Sequence, residues 1–253
     1  MFKYQKPYSG LGWALSKRLL KKLKNVARLS KVDEELFLRL CARTGRDFPS
    51  RTTIIDEGDK PAAMYVVRKG WACACKTLED GRRQTVAFFL PGDVCHVSIH
   101  QIDRLDHTIR AITPITISQF TARDLNNLKS LSQPTIGALL LQPQVNSATQ
   151  REWMVNLALR GSLERVAHLI CELFNRLESV GLTDGPHCEF PLTQTDLAEA
   201  LGLTGIHVNR TLQRLRSMNL IVLRNRMLTV PNLPALQRVA LFNDSYLHPT
   251  SDR

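Results

Sequence analysis

The chain has 253 residues, 43% of them hydrophobic, and its 34 Lys and Arg outnumber 23 Asp and Glu for a formal charge of +11. That length and composition suit one large or two modest globular domains, and no run of about eighteen apolar residues occurs to span a membrane. With no export signal after the basic start and no CxxC pair, the six cysteines read as reduced thiols of a cytoplasmic protein rather than a disulfide framework.

The distribution of charge says more than its sum. Residues 1–31 hold nine Lys or Arg and no acid, residues 32–199 net −3, and residues 200–253 net +5. Basic ends around a slightly acidic middle favour a polyanionic partner, either nucleic acid or an anionic surface.

Residues 15–44 have helical periodicity, with Leu15, Leu19, Leu23 and Val26 on one side and Leu36 and Leu40 continuing it. Lys17, Arg18, Lys21, Lys22 and Lys24 lie between the first set. From residue 50 to 120 the pattern changes to short runs rich in Val, Ile, Thr and Phe, punctuated by Gly58, Gly70, Gly81 and Gly92. Glycine supplies the positive φ of tight turns, and strands at this spacing predict an antiparallel sandwich or barrel. Met64–Arg68, Ala72–Thr77, Thr85–Leu90, His107–Ile112 and Ile115–Phe120 are the expected strands. Residues 121–180 return to helix. Ile136, Leu139, Leu140, Trp153, Leu157 and Leu159 line a first long helix, which Pro143 is expected to kink or split. An apolar side on that helix predicts a homodimer seam. Val166, Leu169, Ile170, Leu173, Phe174 and Leu177 line the next helix. Residues 181–191 read as a turn-rich break near a domain boundary.

The stretch 192–221, LTQTDLAEALGLTGIHVNRTLQRLRSMNLI, carries the functional signal. Thr193 and Asp196 form a capping box that opens a short helix, and Gly202 ends it. Thr204 caps a second helix with Val208, Leu212 and Leu215 on one face and Ile206, His207, Arg210, Gln213 and Arg214 on the other. Two short helices joined by a glycine-containing turn are a helix-turn-helix, whose second helix enters the major groove. Arg224-Asn225-Arg226 then tips a predicted hairpin, a wing. From Leu201 to Asn243 there are six Arg and no acid, which suits the phosphates of double-stranded DNA. No nucleophile motif, phosphate-binding glycine loop or carboxylate pair marks an enzyme, so no catalytic residue is assigned. His96 and His100 are four apart in strand and loop, where that spacing does not converge on a metal.

With EGDKPAAMYVVRKG, LEDGRRQTVAFFLPGD and the helix-turn-helix above, the chain from about residue 20 to 240 resembles the Crp/Fnr family of bacterial regulators, and its His207 to Arg210 resembles a subgroup with a His-Val-Asn-Arg recognition helix. The resemblance implies an α+β chain. Residues 1–130 would hold an N-terminal helix and a cyclic-nucleotide-binding-like β-roll, residues 131–163 a dimerisation helix, and residues 164–253 a winged helix-turn-helix. It implies a palindromic operator, a homodimer and contact with RNA polymerase. Gly205, Ile206, His207, Asn209, Arg210 and Gln213 become the base-reading candidates, with Arg210 matching the family's base-reading arginine. Where typical members place an acid on the recognition helix, this chain has Ile206 or Gly205, so a different half-site is expected. Thr193, Thr204, Arg214, Arg224 and Arg226 fall to phosphates.

For the signal, Gly92 and Asp93 stand near the Gly-Glu pair of cyclic-nucleotide-binding members, and Leu105 falls where their arginine lies, with Arg104 and Arg110 nearby. The cofactor therefore stays unassigned. Haem or metal sensing and thiol oxidation would draw on Cys73, Cys75, Cys95 and His96, the first two on one side of their strand. A competing class is a β-roll signalling module that works through protein partners without DNA.

Overall fold

The protein is described here by a computed structural model that covers residues 18–43, 45–96, 104–121, 123–124 and 131–247. The first predicted helix is two. Residues 18–24 (α1) end in a turn at 25–27, and α2 (Lys31–Arg43) starts afresh because Ser30 caps it: its Oγ accepts the Asp33 N–H at 3.1 Å. Residues 15–17 and 44 of that expectation lie outside the described residues. The buried Asp33 carboxylate then takes the Thr135 hydroxyl at 2.8 Å and the Ser132 N–H at 3.2 Å, tying α2 to the start of the long helix.

Eight strands follow: β1 (Gly45–Phe48), β2 (Thr53–Ile55), β3 (Met64–Lys69), β4 (Ala72–Thr77), β5 (Arg83–Phe89), β6 (Val94–His96), β7 (Thr108–Ala111) and β8 (Ile115–Phe120). They form two antiparallel sheets, ordered β1-β8-β3-β6 and β2-β7-β4-β5. Successive side chains on a strand point to opposite faces, and β3 uses both. Tyr65 and Val67 turn inward onto Ala72, Ala74, Ile109 and Ile117. Met64 and Val66 turn outward onto Leu19, Leu23 and Phe37. Gly70, at φ +81°, makes the β3–β4 turn, where an added Cβ would meet the Pro114 carbonyl at 2.3 Å.

The long helix α3 (Gln133–Leu159) is unbroken, and Pro143 lies within it. The expected split does not occur: proline removes one N–H, and the remaining turns keep their bonds. Nor is α3 apolar on one side only. Trp153 is buried, whereas Met154 and Leu159 are 70% and 80% exposed. At Arg160–Gly161 the chain turns into α4 (Ser162–Ser179), and Arg165 holds the corner by donating to the carbonyls of Leu157 and Arg160. Glu172 of α4, fully buried, accepts from Trp153 Nε1 at 2.8 Å, Arg176 Nη1 at 3.0 Å and the Tyr246 hydroxyl at 3.2 Å. Burial pushes its pKa up despite Arg176.

The break expected at 181–191 is instead β9 (Thr183–Asp184) and β10 (His187–Glu189). After α5 (Gln194–Leu201) and α6 (Gly205–Ser217), strands β11 (Val222–Arg224) and β12 (Met227–Thr229) complete a sheet ordered β11-β12-β10-β9, and α7 (Leu233–Ala240) closes the domain. The wing is therefore one edge of a four-stranded sheet. One core runs from Trp71, Cys73 and Phe88 of the β-roll through Trp153 to Leu169, Leu197, Val208 and Leu228.

Candidate nucleic-acid interface

Thr193 opens α5 as a true capping box. Its Oγ1 accepts the Asp196 N–H at 3.2 Å, while Asp196 Oδ2 accepts the Thr193 N–H at 2.8 Å. Gly202, at φ +60°, ends α5 in the left-handed conformation that a glycine adopts without strain. Two residues later Thr204 Oγ1 accepts the His207 N–H at 3.3 Å and starts α6. Val208, Thr211, Leu212 and Leu215 bury one face of α6 against α4 and α5.

The other face is free. Gly205, Ile206, His207, Arg210, Gln213 and Arg214 are exposed, and Asn209 is half-buried at the flank. Ile206 is 74% exposed at the start of the helix, four residues before Arg210 on the same side. Arg224 and Arg226 are exposed on the wing, whose turn residues Asn225 and Arg226 both have positive φ, as a two-residue I′ hairpin requires. Among the described residues, the side chains of Arg210, Arg214, Arg224 and Arg226 have no hydrogen-bond or ion-pair partner. Arg216, by contrast, is occupied, donating to the Leu223 carbonyl at 3.3 Å and bracing α6 against the wing. The α6 face and wing thus present unpaired guanidinium groups with no acid in the intervening sequence, and charge-assisted contact with phosphates is what such a surface can do.

Three residues that the sequence reading missed position α5 from the β-roll. Arg51 Nη2 donates to Asp196 Oδ2 at 2.8 Å, Gln84 Nε2 donates to the Ala200 carbonyl at 3.1 Å, and Arg83 lies 3.9 Å from Glu199. The first bond adds to the capping box, and despite burial the Asp196 carboxyl sits below its ordinary pKa. Nothing in local sequence signals these pairs, because 145 residues separate Arg51 from Asp196.

The four effector candidates do not come together. Gly92 makes a turn at φ +96°, where an added Cβ would meet the Arg18 backbone at 3.2 Å. Asp93 is buried and accepts from Lys22, from Arg176 Nη2 at 2.7 Å and from the Leu90 N–H at 2.6 Å, so its carboxylate is occupied within the fold. Burial pushes its pKa up, Lys22 and Arg176 pull it further down, and the balance lies below the ordinary value. Arg110 donates to the Arg51 carbonyl, Arg104 is exposed, and Leu105 is part of the β-roll core. A cavity of about 140 Å³ lies between β-roll, α1, α3 and α4, lined by Lys22, Cys95, His107, Gln142, Asn146 and Arg176 among others, and by none of the four. It is smaller than the roughly 300–1,000 Å³ of typical ligand pockets, and its two cations, Lys22 and Arg176, already hold Asp93.

The thiols divide as well. Cys73 and Cys75 share the outer face of β4, next to the β5 strand on which α5 packs, whereas Cys95 points into the β-roll core. The side chain of His96 lies outside the described residues. Among the described residues, no three His, Cys, Asp or Glu side chains gather in a metal-holding cluster.

Two family models match the chain: the cyclic nucleotide-binding domain over residues 45–130 and the Crp-like helix-turn-helix domain over residues 164–239. The chain is 30% identical over 185 residues to the transcriptional activator protein FnrL of Cereibacter sphaeroides, covering 72% of this chain and 73% of that protein. It is 31% identical over 170 residues to the nitrogen fixation regulation protein FixK of Bradyrhizobium diazoefficiens, covering 66% and 70%. Its fold is similar to that of FixK2 from Bradyrhizobium japonicum, with a TM-score of 0.69 at 23% identity over 78% of this chain and 96% of that one.

Proposed function

The chain belongs to the Crp/Fnr family of transcription regulators and carries its helix-turn-helix DNA-binding domain, and from that premise we propose that it reads a palindromic operator as a homodimer, with α6 in the major groove. The observation that carries this reading is the exposed face of α6, where Ile206, His207, Arg210 and Gln213 stand free beside the unpaired Arg214, Arg224 and Arg226. Met154, Val155 and Leu159 of α3 are exposed apolar side chains, and a second α3 across a two-fold axis would cover them. No helix among the described residues is long and apolar enough to cross a membrane, and the site of action is the cytoplasm, where the DNA and RNA polymerase are. The name of FnrL, a transcriptional activator, supports recruitment of polymerase by the bound dimer. A β-roll module working only through proteins is not favoured, because it leaves the acid-free reader unused.

Selection from a random-sequence duplex pool tests the proposal. Two inverted half-sites should emerge with centres about one helical turn apart, some 34–36 Å, and affinity should fall steeply with added salt. Enrichment of a single asymmetric site, or none, would count against it.

Ile206 refines the expected half-site. Isoleucine cannot accept a hydrogen bond from cytosine N4, as a carboxylate would, but it packs against the C5-methyl of thymine. Replacing the facing thymine by deoxyuridine deletes only that methyl. At about 0.8 kcal/mol per buried carbon, affinity should drop about fourfold for each half-site. Ile206→Ala should be insensitive to the same replacement. Equal losses in both proteins would remove Ile206 from the reading set.

A further inference from the structure

Beneath the reader domain lies a pair of thiols that DNA binding does not use. Cys73 and Cys75 alternate with Ala72 and Ala74 on β4, and the alanines face the β-roll core. Alternation turns both sulfurs to the outer face, where Cys73 joins the core shared with the C-terminal domain. Asp196 and Glu199 of α5, which packs on the neighbouring β5, lie near the pair. They are only 8% and 3% exposed. Across the strand ladders Cys73 opposes Phe88 and Arg110, and Cys75 opposes Thr85 and Thr108. Five charged groups face the pair: Arg51 between β1 and β2, Arg83 on β5, Arg110 on β7, and Asp196 and Glu199 on α5. The same α5 acids and the same edge of the β-roll form the Arg51–Asp196 and Arg83–Glu199 contacts that seat the reader.

We propose that Cys73 and Cys75 are a thiol switch that a hydroperoxide closes to a disulfide, and that closure unseats α5 from the β-roll and weakens operator binding. The second clause rests on the DNA-reading function proposed above; the first does not.

The two thiols are not equivalent. The neighbouring Cys73 thiol, and then Arg83 and Arg110, pull the Cys75 pKa below its ordinary value. The neighbouring Cys75 and burial push Cys73 up, so it keeps its proton. A thiolate is the nucleophile toward peroxide. The Cys75 sulfur attacks one peroxide oxygen, the S–O bond forms, the O–O bond breaks, and the departing hydroxide takes a proton to become water. Cys73 then attacks the sulfenic sulfur, the S–S bond forms, and the S–O oxygen leaves with the Cys73 proton as a second water. Two thiols and one hydroperoxide thus give one disulfide and two waters (water and an alcohol for an organic hydroperoxide), each sulfur losing one electron.

Geometry couples this bond to the reader. Residues i and i+2 of a strand are about 6.6 Å apart at about 3.3 Å per residue. A disulfide prefers Cα atoms about 5.5–6 Å apart, with an upper limit near 6.8 Å. Closing the bond therefore shortens β4, next to the β5 strand on which α5 packs, and a bond of that kind is readily reduced again, as a reversible switch needs. Peroxide reaches the sulfurs when α5 lifts, and the disulfide holds the lifted population.

The test uses the full chain. Reduced protein is first bound to a duplex that it has itself selected from a random pool, which establishes DNA reading independently of the switch. The protein is then treated with hydrogen peroxide, digested with trypsin without reduction, and weighed. Both cysteines lie in the peptide from Gly70 to Lys76. The expected product is that peptide lighter by two hydrogens, with faster amide exchange in 194–201 and affinity for the duplex reduced about tenfold or more, all reversed by dithiothreitol. In Cys73→Ser a dimedone adduct should mark sulfenic acid on Cys75, with no disulfide. Cys75→Ala should show neither, and measuring the affinity of each reduced variant separates loss of the switch from loss of the fold. A peptide that stays reduced while the protein still reads DNA overturns the switch. So does an equal peroxide effect in Cys75→Ala, which would place the oxidation on Cys41, Cys95, Cys171 or Cys188. A closed disulfide with unchanged affinity overturns its coupling to the reader.

Discussion

Arg210→Ala will fold, melt at the wild-type temperature and bind the selected operator scarcely better than random duplex. Arg210 is exposed on α6 and has no partner among the described residues, so its removal should change stability by no more than about 0.5 kcal/mol. A bidentate guanidinium–guanine pair contributes about 1–3 kcal/mol of discrimination. The proposed dimer would use it twice, so about 2–6 kcal/mol of sequence preference would be at stake. Removing Arg214 or Arg224 should act differently. If they meet phosphates, affinity falls alike on all sequences and the salt dependence loses about one unit of slope for each charge. Competition binding against random duplex at several salt concentrations separates the two effects. Retained preference in Arg210→Ala would sink its assignment as base reader.

The second large effect is on stability. Asp93→Ala removes the buried carboxylate that half-buried Lys22 and Arg176 share, leaving Lys22 without it and Arg176 with Glu172 and the Phe88 carbonyl. Breaking a buried pair by removing one partner costs about 3–5 kcal/mol when the other charge is left uncompensated. With Glu172 still on Arg176, a loss toward the lower end of that range is expected, which urea denaturation at pH 7 would resolve. The pH dependence has a definite sign. In the folded protein the Asp93 carboxyl lies below its ordinary value, so its stabilisation is complete above the unfolded pKa of about 3.9 and is lost as pH falls through the folded one. Wild-type protein should lose stability below about pH 4, with Asp33 and Asp196 adding to the loss because their pKa values are also lowered. Glu172 works against this trend, since its pKa is raised and its ionisation as pH rises is destabilising. Asp93→Ala should show a shallower acid limb. A variant with the wild-type midpoint and acid limb would mean that the two cations find other partners.

The contrast between Arg210 and Asp93 shows what a sequence can reveal. The helix-turn-helix was legible because its caps, its turn and its buried face are local. Thr193 caps three residues ahead, Gly202 must adopt positive φ, and Val208, Leu212 and Leu215 repeat at helical spacing. Five of the eight β-roll strands were legible for a similar reason, since glycines pace their turns, whereas the short β1, β2 and β6 were not expected. That Asp93 binds Lys22 and Arg176 is not legible in the sequence, because those partners lie 71 and 83 residues away. Gly92-Asp93 looks alike whether it holds a ligand or two of the protein's own cations. The strands β9 and β10 were hidden among Gly, Pro and Asp, which signal turns, and are held by pairing, β10 with β12 and β9 with β10, more than by their own propensity. The Tyr246–Glu172 bond joins residues 74 apart and left no trace in either segment.

The Arg51 bond to the α5 capping box bears on modularity. A helix-turn-helix domain is readily pictured as a cassette, transferable wherever its covalent boundary can be cut. In this chain the first turn of the reader is finished by an arginine from the β-roll, and its last turn by Gln84. A graft of residues 164–239 onto another family member's β-roll would carry the exposed face of α6 and leave those two braces behind. The heritable unit is therefore the interface, and a change of specificity by exchange of domains has to bring residues 51 and 84 along with the helix they hold.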